Sequence, residues 1–181
     1  MTFPNDKKTF LAKLDKSKKG SIDERGVPLL NTVNALENYY TTSSCSGRVY
    51  LWSGSGKKNE TQWLKMSHDP IALDFFELDN PKGVVWLRFE SSIFHICCKD
   101  LESANSLLLK ARTYYKKSSI LTASNKIIVE IRGGDVIEMP FYIDGERVFS
   151  GDFVWLFSLI NSKMNLMWNK MEKLRVGLSK K

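Results

Sequence analysis

Three serines, two threonines, a cysteine and an arginine crowd the eight residues from Thr41 to Arg48, with Gly47 beside the arginine. Hydroxyls both donate and accept hydrogen bonds, glycine lets another molecule approach the backbone, and a guanidinium grips anions. Two readings are open for such a segment: a polar turn capped by Thr and Ser, or a binding or catalytic site. Val49-Tyr50-Leu51-Trp52 follows and reads as a strand. The cluster therefore falls at a helix–strand junction, where helix ends and strand edges build sites.

His95 lies within Ile93-Phe94-His95-Ile96-Cys97, an apolar strand that would bury the imidazole, hold it neutral and suit it to accepting a proton. The alternative is a histidine satisfied by a backbone carbonyl. His68 precedes Asp69-Pro70 and reads as a solvated turn residue. Asp23 opens a helical pattern, so it is a cap or a base. A Cys45–His95 nucleophilic pair would need a third group to orient the imidazole. No Gly-x-Gly-x-x-Gly follows a strand pattern and no Walker sequence occurs, which argues against a Rossmann or P-loop nucleotide site. Two histidines and three cysteines without paired ligand spacing point to no metal site.

The elements that must position these residues follow from periodicity. Phe10, Leu11 and Leu14 predict a short first helix, and a second opens at Ser21 or Asp23 with Val27, Leu30, Val33 and Leu36 on one face. Strands are expected at Val49–Ser53, Gln62–Ser67, Val84–Glu90, Ile93–Cys98, around Ile120, and at Ile127–Ile131 and Ile137–Tyr142. Leu101–Tyr115 reads as a helix with Leu101, Ala104, Leu108 and Ala111 inward, Asp144-Gly145 as a hairpin turn, and about 152–175 as a long closing helix. With 181 residues, 43% of them hydrophobic, the chain has enough material for one domain with a real core. There is no apolar run of membrane-spanning length, no signal-peptide core and no disulfide framework, so the cytoplasm is the expected compartment and no membrane partner is expected. A net charge of +7 favours a polyanionic partner, most simply nucleic acid.

Tyr39-Tyr40-Thr41-Thr42-Ser43-Ser44 and Tyr114-Tyr115-Lys116-Lys117-Ser118-Ser119 share a Tyr-Tyr-x-x-Ser-Ser pattern 75 residues apart. This predicts an internal duplication of a helix–strand–strand unit, with halves at about 21–90 and 91–150 inside a single domain of 1–181. The expected class is α+β, in two layers, with helices packed on a largely antiparallel sheet.

The segment Thr41–Arg48 carries the Ser/Thr-x-Ser-Ser-Cys-x-Gly-Arg motif of a known family. Lys19-Gly20-Ser21-Ile22-Asp23, the strand His95 to Lys99, and the stretch Asn161-Ser162-Lys163-Met164 to Met171-Glu172-Lys173 also match it. On these residues the chain resembles the third-step methyltransferases of wybutosine synthesis over nearly its whole length. It departs at Lys117-Ser118-Ser119, where the family usually has Asn-Ser-Gly, and at Gly133-Gly134-Asp135-Val136-Ile137-Glu138, where it tends to have Ser-Thr-His-Gly-Leu-Glu.

The resemblance implies an S-adenosylmethionine-dependent enzyme that methylates N4 of the 7-aminocarboxypropyl-demethylwyosine base 3′ of the anticodon of phenylalanine tRNA. It also implies an α/β fold outside the Rossmann class. The partner would be the anticodon arm of that tRNA, and a monomer is expected. Asp23, His95, Ser43, Ser44 and Cys45 would form the catalytic group, with either Asp23 or His95 taking the acceptor's proton and Cys45 packing rather than reacting. Thr41, Ser46, Gly47, Arg48, Ser118 and Ser119 would hold the cofactor. Asp23, the Ser43–Arg48 segment and His95 are expected to converge on one cleft. The competing reading is a non-catalytic basic RNA-binding module that stacks bases on Tyr39 and Tyr40.

Overall fold

The computed structural model describes residues 2–12, 22–54 and 60–179. Its chain is divided between two units that interleave in sequence: residues 1–46, 92–134 and 167–181 form the first, and 47–91 and 135–166 the second. These units are not the contiguous halves expected at 21–90 and 91–150. The reason is the chain path, which enters the second sheet after Ser46 and returns to the first at Ser92.

In the first unit, α1 (Phe3–Leu11) and α2 (Val27–Ala35) precede strand β1 (Tyr39–Cys45). The unit resumes with β5 (Ile93–Cys98), α3 (Leu101–Arg112), β6 (Ser119–Ala123) and β7 (Ile127–Arg132). The four strands form an antiparallel sheet in the order β1-β5-β7-β6. Alternation along β5 and β7 sends Phe94, Ile96, Cys98, Val129 and Ile131 to one face. There they share a core with Leu29, Leu30 and Val33 of α2 and with Leu107, Leu108 and Ala111 of α3. Met171, Leu174 and Leu178 of the closing helix α4 (Phe153–Ser179) complete that core. Asp100 caps α3 by accepting from the backbone N–H of Ser103 at 2.7 Å. Leu101, expected inward, is 51% exposed, and Leu107 takes the buried position.

Either edge of this sheet reads alike: a helix, then an edge strand, then an inner strand, as α2-β1-β5 and as α3-β6-β7. The Tyr-Tyr-x-x-Ser-Ser copies nevertheless fall at different points. Tyr39 to Ser44 lie inside β1, whereas Tyr114 to Ser118 form the turn before β6.

The second unit is a five-stranded antiparallel sheet ordered β3-β2-β4-β8-β9. Its strands are β2 (Arg48–Ser53), β3 (Gln62–Ser67), β4 (Val84–Glu90), β8 (Val136–Ile143) and β9 (Glu146–Arg147). Val49, Leu51, Val85, Leu87 and Phe89 are fully buried. Phe76, from a single 3₁₀ turn at Leu73–Phe76, packs on Phe141 at 5.3 Å and on Phe153 at the start of α4 at 6.1 Å. Asp144 and Gly145, at φ 48° and 88°, make the expected hairpin turn between β8 and β9. Asp152 caps α4 by accepting from the N–H groups of Val154 and Trp155. No helix among the described residues is long and apolar enough to cross a membrane.

Candidate active site

The segment from Thr41 to Cys45, expected as a polar turn, is strand. Thr41, Ser43, Ser44 and Cys45 pair with β5, and the chain turns only at Ser46-Gly47. Gly47 sits at φ 93°, a left-handed conformation that favours glycine.

The pairing with β5 is irregular between Thr41 and Ser43, because Thr42 is a bulge residue. Tyr40 opposes Cys97, Thr41 opposes Ile96, Ser43 opposes His95, Ser44 opposes Phe94 and Cys45 opposes Ile93. Directly opposed residues share a face. Ser43 and Cys45 therefore lie with His95 on the outer face, away from the helical core. Thr41 and Ser44 lie on the core side, with Ile96 and Phe94. The expectation that Ser44 joins His95 around one cleft is thus corrected: the two are on opposite sides of the sheet, because one extra residue shifts the strand's alternation. His95 is likewise on the outer face and not buried within an apolar strand.

On that outer face the Ser43 hydroxyl is 2.8 Å from His95 Nδ1. His95 Nε2 is 3.0 Å from Glu130 Oε2 on β7, and Glu130 in turn opposes Ser119 on β6. Ser43, His95, Glu130 and Ser119 thus form one row straight across four strands. Ser43 and Ser119 are exposed, while Glu130 keeps 16% of its side chain accessible. Arg132 follows two residues later on β7, with Nη1 4.0 Å from Glu130 Oε1 and most of its side chain in solvent. Thr42, at the bulge, donates its hydroxyl to the His95 carbonyl at 3.1 Å.

Glu130 was not among the residues picked from sequence. The available signal was a lone carboxylate in the middle of the apolar strand Ile127–Ile131.

Asp23 does not cap a helix directly. It starts the turn that leads into α2, where its carbonyl accepts from the Gly26 N–H at 2.8 Å. Its Oδ2 accepts from the Ser46 N–H at 2.9 Å and from the Ser46 hydroxyl at 3.1 Å. Asp23 therefore fixes the end of β1, two residues beyond Ser44. Three hydroxyls assigned to cofactor are already engaged. Ser46 is 1% exposed and held by Asp23. The Thr41 hydroxyl accepts from Asn34 Nδ2 at 3.0 Å. Ser118 is buried and donates to the Tyr115 carbonyl at 2.7 Å.

The aromatics proposed as stacking platforms are not available either. Tyr40 is fully buried, with the rings of Phe3 and Phe10 of α1 at 5.5 and 5.4 Å. Burial, reinforced by the Asp6 carboxylate that its hydroxyl bonds at 2.6 Å, pushes the Tyr40 phenol well above the ordinary range. Tyr39 is half-buried and donates to the Ser103 carbonyl. Cys97 and Cys98 are buried, and burial drives the Cys98 thiol up to about 12.

Within the second unit, Arg48 gives Nε to Glu90 Oε2 at 3.0 Å and Nη2 to the same oxygen at 2.9 Å. Its guanidinium lies 4.7 Å from the Trp63 ring and 5.0 Å from Tyr50. Arg88 Nε lies 2.9 Å from Glu90 Oε1 as an ion pair and Arg88 Nη1 donates to Glu138 Oε1 at 2.8 Å, so a chain of alternating charges crosses β2, β4 and β8. Arg48 is therefore partly committed to an internal carboxylate, leaving Nη1 outside its bonds to Glu90. His68, expected to be solvated, is half-buried and donates Nδ1–H to the Gly47 carbonyl at 2.9 Å.

Comparison with known proteins gives a consistent result. The family model described as methyltransferase TYW3 matches residues 5–180. A protein of Methanocaldococcus jannaschii, named tRNA(Phe) 7-((3-amino-3-carboxypropyl)-4-demethylwyosine(37)-N(4))-methyltransferase, is 36% identical over 97% of this chain and 100% of its own. A Thermococcus sibiricus protein of the same name is 34% identical over 98% and 95%. The solved structure of the PH1069 protein of Pyrococcus horikoshii superposes with a TM-score of 0.88 at 31% identity, covering 98% of this chain and 96% of that one.

Proposed function

The chain belongs to the methyltransferase TYW3 family, and from that premise we propose that it transfers a methyl group from S-adenosylmethionine to N4 of the 7-aminocarboxypropyl-demethylwyosine base beside the anticodon of phenylalanine tRNA. The observation that carries this reading is the Ser43–His95 contact on the outer face of the first unit's sheet, inside the segment that also bears the family motif. Loss of the acceptor's proton is the step this pair serves. An exposed hydroxyl backed by an imidazole accepts that proton as the new N–C bond forms.

S-adenosylmethionine, when bound, supplies a methyl group activated by a sulfonium. The donor set on the outer face suits its amino-acid end. Arg132 offers an exposed guanidinium for the carboxylate and Ser119 an exposed hydroxyl. Thr41, Ser46 and Ser118 instead hold the fold together. Asp23 acts through Ser46 by fixing the end of β1. Orientation supplies much of the acceleration, because in-line displacement requires donor, acceptor and leaving sulfur to be aligned.

The test is incubation of the protein with S-adenosylmethionine and tRNA-Phe carrying the unmethylated tricyclic base, followed by mass analysis of that nucleoside. The expected outcome is gain of one methyl group, with turnover reduced about 10²–10⁴-fold by His95→Gln. A protein that binds the tRNA but neither binds S-adenosylmethionine nor methylates would refute the reading.

A further inference from the structure

The row Ser43–His95–Glu130 fixes which nitrogen of the imidazole carries the proton. An ionised carboxylate can only accept, so the bond between Nε2 and Glu130 Oε2 requires hydrogen on Nε2. Neutral His95 is then the Nε2–H tautomer, and its lone pair is on Nδ1. That lone pair points at the Ser43 hydroxyl, 2.8 Å away, which must therefore donate to it. The basic atom of His95 is thus covered by Ser43, and the group left facing solvent is the Ser43 oxygen.

The geometry points to a three-member proton relay in which Ser43, and not His95, touches the acceptor base, with Glu130 as a positioning residue that sets the tautomer. This rests on the methyl-transfer reading above. As the acceptor nitrogen forms its bond to the methyl carbon, the carbon–sulfur bond breaks and its electron pair stays on sulfur as a neutral thioether. The proton on the acceptor nitrogen passes to Ser43 Oγ while the Ser43 hydroxyl proton passes to His95 Nδ1. Serine ends neutral, the imidazole ends as a cation, and the Glu130 carboxylate holds that cation through Nε2–H. Turnover is completed when Nδ1 returns its proton through Ser43 to water. Two features of the sheet support the assignment. The Thr42 bulge is what turns Ser43, rather than Thr42, towards His95. The Thr42 hydroxyl also bonds the His95 carbonyl, which ties the two strands together at that point.

The test reads the tautomer directly. With only two histidines in the chain, nitrogen-15 NMR of histidine-labelled protein resolves both rings, and His95→Gln assigns them. The expected result is an Nε2–H tautomer for His95 in the parent protein and in Ser43→Ala. Glu130→Gln, whose amide can donate as well as accept, should show a shift towards Nδ1–H. In single-turnover methyl transfer, Ser43→Ala should be slowed about 10²–10⁴-fold and Glu130→Gln at least about tenfold. The parent should show a solvent isotope effect with two protons in flight, which Ser43→Ala reduces to one. A merely structural role for Glu130 would leave tautomer and isotope effect unchanged, and that result overturns the inference. Parent-like rates in Ser43→Ala overturn it as well, since His95 would then act directly. A parent that methylates while holding Nδ1–H overturns the relay alone. A parent that methylates no tRNA overturns the functional reading and the relay with it.

Discussion

Asp23 is where stability and chemistry can be separated by two substitutions. Its Oδ2 takes the Ser46 N–H and hydroxyl, and Ser46 is 1% exposed, so solvent cannot replace the carboxylate there. Asp23→Ala leaves a buried backbone N–H without its charged acceptor. A hydrogen bond to a charged group contributes about 1.5–3 kcal/mol, and the hydroxyl can rotate towards other acceptors, so a loss of about 2 kcal/mol is expected. Asp23→Asn keeps an oxygen in place and gives up only the charge, which accounts for roughly half the strength of such a bond, or about 1 kcal/mol. With a urea m-value of about 2.5 kcal/mol/M, the midpoint should fall by roughly 0.8 M for Ala and about half that for Asn. Methyl transfer by Asp23→Asn should remain within about tenfold of the parent, because the proton leaves through Ser43 and His95. An unshifted midpoint in Asp23→Ala would refute the role given to the Ser46 contact. An Asp23→Asn protein of near-parent stability that methylates a hundred times more slowly would instead make Asp23 the base.

Ser92 and Tyr115 share a hydrogen bond of 3.1 Å, and both are essentially inaccessible. Tyr115→Phe should cost about 1–2 kcal/mol by stranding the serine hydroxyl, and Ser92→Ala/Tyr115→Phe should cost less than the sum of the singles in urea titrations. Burial pushes the Tyr115 phenol up to about 12. Since its folded value lies above its unfolded one near 10, stability is fully present below about pH 10 and is lost as pH rises towards 12. Tyr115→Phe should remove that part of the alkaline decline. Thiol titration with a chromogenic disulfide should modify Cys45 first and leave Cys97 and Cys98 unreacted until urea unfolds the protein, because burial holds the latter two thiols protonated. Prompt reaction of all three in the native protein would contradict the packing.

Most strands were legible because their signal is local. Gln62–Ser67, Val84–Glu90 and Ile93–Cys98 begin and end where alternation and β-branched content place them. Asp144-Gly145 turned as its dipeptide predicts. What was not legible depends on partners distant in sequence. Serine and threonine in a row look like a turn, and only pairing with β5 makes Thr41 to Cys45 a strand. The bulge at Thr42 leaves no mark in composition, yet it decides which serine meets His95. Glu130 looks like an interruption of an apolar strand until β5 and β7 are aligned and it stands opposite the imidazole. The Tyr-Tyr-x-x-Ser-Ser pattern misled in the opposite way. The two copies resemble each other as text, while Ser118 is spent on a turn carbonyl and Ser43 faces solvent.

The interleaving of the two units bears on how the protein is made. The first unit begins with the earliest residues of the chain, but its core includes Met171, Leu174 and Leu178. During synthesis, the strand bearing Ser43 therefore emerges long before the helix that seals the core behind it. It also precedes β5, its neighbour in the sheet, by the whole of residues 47–91. The usual order, in which an N-terminal unit folds on the ribosome while the rest is translated, is closed to this chain. The second unit, with its sheet strands and the start of α4 all supplied by residue 166, can be completed first. A stop within α4 ahead of Met171 would then release a protein that carries every residue of the Ser43–His95–Glu130 row and lacks the part of the core that Met171, Leu174 and Leu178 supply.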